Sequence, residues 1–139
     1  MTVWKLSALT VLAAVPAAGP IGVPRLDVAA SCERKATKGR VLCDVEFEVP
    51  EGRIAWADVV VVEAPQFAKP LRSRVGALDA RSRTDRRIHI PVAFIARDQG
   101  RGTVAFRGRA VVCSLASARE TCAPATHDVS VELKVGAVE

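Results

Sequence analysis

The sequence has no tyrosine, two tryptophans and four phenylalanines, so its basic residues lack the interleaved aromatics of a nucleic-acid-binding face. It has two histidines, His89 and His127, and no Cys-x-x-Cys, which removes the ligand spacings of a histidine-rich or zinc-finger-type metal site. Beyond the N-terminal segment no apolar run approaches the roughly 20 residues that a membrane helix needs. No segment shows an apolar stripe at helical spacing, and no internal repeat or low-complexity tract is present. Ser114 and Ser117 have no accompanying base and orienting group, so a hydrolase triad is unsupported. Nothing in the pattern calls for a cofactor. The 20 Lys and Arg against 15 Asp and Glu give a formal charge of +5, dispersed through turns in the manner of a solvated surface.

What remains is a chain of 139 residues, half of them apolar and a quarter charged, which is one globular domain of ordinary size. Lys5 precedes the apolar run Leu6 to Val15, and Pro16-Ala17-Ala18-Gly19 supplies small residues. This predicts a signal peptide over residues 1–17, a domain over 18–139, and export to the periplasm or medium without a membrane span.

After the leader the hydrophobic period is two. Leu26, Val28, Ala30 and Cys32 share one face of a first strand; Val41, Cys43, Val45, Phe47 and Val49 share one face of a second. Pro50-Glu51-Gly52 ends it. Ile54 to Val62 follows, its valine run predicting a strand that is either buried on both sides or central in its sheet. Residues 63–87 read as loop with at most one short edge strand. Ile88 to Ala96 alternates again, with Pro91 pointing to an edge or bulge. Val104, Phe106, Ala110 and Val112 form the next strand, and Val129, Val131, Leu133 and Val135 the last. About seven strands with short turns predict an all-β, immunoglobulin-like antiparallel β-sandwich.

Four cysteines in an exported chain favour disulfides, with three possible connectivities. Cys32 and Cys43 lie on the inward faces of consecutive strands, and a hairpin centred between Thr37 and Lys38 sets them opposite each other, as a structural bridge. Cys113 and Cys122 bracket Ser114 to Thr121, which lacks a strand period and reads as a loop. A bridge at a loop mouth is accessible to exchange, while most disulfides in small secreted domains are staples. His127 would lower a thiolate pKa if that loop folded back onto it. The arginines Arg81, Arg83, Arg86 and Arg87 either dock an acidic partner or keep a loop soluble.

Several runs carry a resemblance: Arg87-Ile88-His89-Ile90-Pro91-Val92, Gly102 to Gly108, Val112-Cys113, Cys122-Ala123-Pro124 and Val129 to Leu133. They resemble the C-terminal half of the periplasmic immunoglobulin-like N-terminal domain of the bacterial membrane thiol:disulfide interchange reductases. The likeness spans residues 40–135, with Val49-Pro50-Glu51-Gly52 similar to that family's proline–glycine turn, and is specific only over the last 50 residues. It implies that Cys113 and Cys122 cycle between dithiol and disulfide, exchanging electrons with a protein redox partner by thiolate attack. The chain departs from the family in its longer inter-cysteine segment, its extra Cys32 and Cys43, and the lack of aromatics that shield the family's pair. A non-catalytic binding or accessory module with two structural disulfides is the other expectation.

Overall fold

The computed structural model describes residues 24–136. The leader expected over residues 1–17 lies outside the described residues. Two antiparallel sheets form a sandwich. One takes β1 (Asp27–Cys32), β2 (Gly39–Glu48), β7 (Arg87–Ala96) and β4 (Ala68–Pro70) in that spatial order, with β6 (Ser82–Arg83) also on β7. The other runs β5 (Arg74–Gly76), β3 (Arg53–Glu63), β8 (Gly100–Ala116) and β9 (Arg119–Val135). This is an immunoglobulin-like arrangement, with β1, β2 and β7 in one sheet and β3, β8 and β9 in the other.

The core follows from the period-two pattern. Val41, Val45, Phe47, Ile88, Ile90, Val92 and Phe94 of the first sheet meet Val59, Val104, Phe106 and Leu133 of the second, all fully buried. Phe94 and Phe106 join the sheets edge to face, ring centroids 6.1 Å apart. Gly108 has no side chain because a Cβ there would lie 2.9 Å from the Phe47 ring.

Residues 63–87 differ from the expected loop. They hold β4, β5, β6 and a short 3₁₀ turn (Ala77–Asp79), so the described residues contain nine strands where about seven were expected. Pieces of two or three residues are too short to show a period. β3 takes the central position, between β5 and β8, which is one of the two placements its valine run predicts; it is not buried on both sides, since Val59 is buried and Val62 is 52% exposed. Pro91 is not on a bulge, and it is at an edge only locally. β7 pairs with β2 along its whole length, while on its other side β6 covers Ile88 and His89 and β4 covers Phe94 to Ala96. Pro91, which has no N–H to offer, falls in the gap between them.

The largest correction concerns residues 114–121. β8 continues to Ala116 and β9 begins at Arg119, leaving a two-residue turn, Ser117-Ala118, with φ of 52° and 62°. The eight-residue loop is a tight hairpin of the kind in which both central residues take positive φ.

Candidate functional site

Both disulfides join residues directly opposite each other on adjacent antiparallel strands. Cys32 faces Cys43 across β1 and β2, and Cys113 faces Cys122 across β8 and β9, with Cα separations of 3.9 and 4.0 Å. The N–H of Glu33 donates to the carbonyl of Leu42, which makes Cys32 and Cys43 a non-hydrogen-bonded pair, where opposed side chains come closest.

The two bridges lie on opposite faces of their sheets. Cys43 belongs to the core cluster and Cys32 packs against it. Cys113 is buried, 1% exposed, yet is not part of that cluster. The alternation explains this: Ala110 and Val112 face the core, so Val111 and Cys113 face outward. On β9, Ala125 is buried while Pro124 and Cys122 are exposed. In antibody domains the cysteines of the strands equivalent to β2 and β8 bond to each other through the core. Here Cys43 looks in and Cys113 looks out, and each bonds its hairpin neighbour instead.

Three neighbours complete the surroundings of Cys113. Arg53 is its register partner on β3. Gly52, at φ +80°, lies so close that a Cβ there would sit 2.2 Å from the Cys113 carbonyl oxygen. Glu120 accepts two hydrogen bonds from Arg53, at 2.5 and 3.3 Å, and its Oε1 is 4.0 Å from Cys122 Sγ. The hydrogen bonds from Arg53 hold the Glu120 carboxyl below its ordinary pKa, against a smaller upward push from desolvation.

Among the described strands β9 is the last of its sheet. β1 runs beside its second half, from the contact of His127 Nδ1 with the Leu26 carbonyl (2.9 Å) to the hydrogen bond from the Gly136 N–H to the Lys35 carbonyl (2.8 Å). Arg119 to Thr126 pair only with β8 among the described strands, so Cys122 sits on an open edge.

His127 is held by Leu26, and its position five residues further along the strand places it about 17 Å from Cys122. It cannot act on that thiol. His89 contacts Asp44 at 2.8 Å on the other sheet. Arg81 pairs with Asp44, and Arg87 with Glu46 and Glu48, so two of the four clustered arginines already have carboxylates; Arg83 donates to the Ala55 carbonyl. Ligand atoms of Cys113, Glu120 and Cys122 lie within 4.8 Å of one another, but sulfurs joined to each other offer no thiolate to a metal. A depression of about 970 Å³, lined by Thr37, Lys38, Phe67 and Asp98, opens at the opposite end of the sandwich. Gly52, Arg53 and Glu120 could not be found in the sequence, because their meeting depends on the β3–β8–β9 order.

No protein-family model, no curated protein and no solved structure matches the chain. Among the described residues, no helix is long and apolar enough to cross a membrane. Two disulfides fit an oxidising, exported location.

Proposed function

We propose that the protein is an exported, periplasmic domain that exchanges dithiol for disulfide at Cys113 and Cys122 with a dithiol protein partner, while Cys32–Cys43 holds the core. The observation that carries this reading is the difference between two bridges of the same local geometry. One has Cys43 in the core and Cys32 half-buried against it; the other lies outside the core, with Cys122 exposed on an open strand edge. Exchange needs a sulfur that a thiolate can reach.

The chemistry follows from the placement. A partner thiolate attacks Cys122 Sγ in line with the sulfur–sulfur bond, from the side of the free edge. That bond breaks, Cys113 leaves as thiolate with the electron pair, and a mixed disulfide joins Cys122 to the partner. The partner's second thiol loses its proton to water and, as thiolate, attacks its own bridged sulfur and releases Cys122 as thiolate; Cys113 and Cys122 then take up protons from water. Two electrons have passed to the domain, and the partner leaves oxidised.

Mixing the oxidised protein with reduced thioredoxin, followed by alkylation and peptide mapping, tests this. The reading expects Cys113 and Cys122 to become alkylated while Cys32 and Cys43 do not. If both bridges stay closed, the second reading stands: a non-catalytic module with two staples. That reading is favoured by the matching cross-strand geometry of the two bonds.

A further inference from the structure

Cys113 is buried without belonging to the core, so something on the outer face covers it. Across that face the register sets Arg53, Cys113 and Cys122 side by side on β3, β8 and β9. Glu120 lies one step toward the hairpin turn, opposite Leu115. To reach Glu120, the Arg53 side chain must cross β8 between Cys113 and Leu115. The 2.5 Å ion pair therefore spans the strand above Cys113.

Attack on a disulfide is in line: the nucleophile approaches a sulfur from the side opposite its bonded partner. For Cys122 that side is the open edge of β9. For Cys113 it is the side of β3, where Arg53 stands tied to Glu120. We propose that the Arg53–Glu120 ion pair is the positioning device of the exchange, closing the approach to Cys113 and directing an incoming thiol to Cys122. This inference rests on the exchange reading and adds the residues that choose the sulfur.

Reduced glutathione serves as the probe. The oxidised full chain is mixed with it, quenched in acid at the earliest time points, alkylated and mapped, and the ratio of glutathione on Cys122 to glutathione on Cys113 is read. The native chain is expected to favour Cys122 at least tenfold. Arg53→Ala and Glu120→Gln, each checked for native circular dichroism, are expected to bring the ratio to within about threefold. The reversed pair, Arg53→Glu with Glu120→Arg, should restore it, which a merely structural role would not. An unchanged ratio in both single variants, or a reversed pair that restores nothing, overturns the proposal while leaving exchange at Cys122 intact. A native chain that forms no mixed disulfide at either cysteine overturns the exchange reading and this inference with it.

Discussion

Cys113 and Cys122 stand opposite each other with Cα atoms 4.0 Å apart, and of the two only Cys122 is exposed. The bond thus has a covered end toward β3 and an open end at the edge of β9. Cys32–Cys43 has the same cross-strand geometry, but Cys43 is locked among core side chains. Where a bridge lies relative to the core, rather than how it is paired, separates the two.

The turn beneath the covered end is intolerant of a side chain. Gly52 has φ +80°, and a Cβ would overlap the Cys113 carbonyl oxygen, a backbone atom that cannot swing away. Gly52→Ala is expected to destabilise the domain by about 2 kcal/mol or more, read as a lower urea midpoint.

The outer face of the second sheet carries a fully buried carboxylate. Asp58 accepts hydrogen bonds from Arg74 (2.5 Å) and Arg109 (2.8 and 2.5 Å), and Arg109 also lies 5.9 Å from the centre of the Trp56 ring. Burial pushes the Asp58 carboxyl up, but the two arginines outweigh it and hold the group below its ordinary pKa. Asp58→Asn should cost about 2 kcal/mol, less than a wholly buried pair because both guanidiniums reach water.

The same group sets a pH dependence. Since its folded pKa lies below the unfolded value of about 3.9, its contribution is present above that pH and lost as the pH falls through the folded pKa. Acid titration of stability should therefore be steeper in the native chain than in Asp58→Asn. Equal slopes would contradict the assignment.

Ser117 and Ala118 occupy positive φ without the glycine or asparagine that this turn prefers. Replacing them with Asn-Gly is expected to add about 1 kcal/mol of stability, seen as a rise in Tm of about 4 °C.

That turn also shows where the sequence stops being informative. The alternation of Val41 to Val49 and of Ile88 to Ala96 reads directly as strand, because one face of each is buried and the other is wet. The numbers 113 and 122 centre a hairpin between Ser117 and Ala118, as 32 and 43 do between Thr37 and Lys38. Yet Ser-Ala carries no hairpin signature, and Arg119 to Pro124 show no period because that half of β9 is solvated on nearly every side. The ion pair of Arg53 with Glu120 lies deeper still, since 67 residues separate partners that only the strand order brings together.

Whether the two bridges differ in function is decided by the reduction potential of each, measured by glutathione equilibration and alkylation mapping on the intact chain. Cys113–Cys122 is expected to titrate above about −300 mV, the range of exchanging bonds, while Cys32–Cys43 stays oxidised there. Two bridges equally resistant below about −300 mV would contradict that difference.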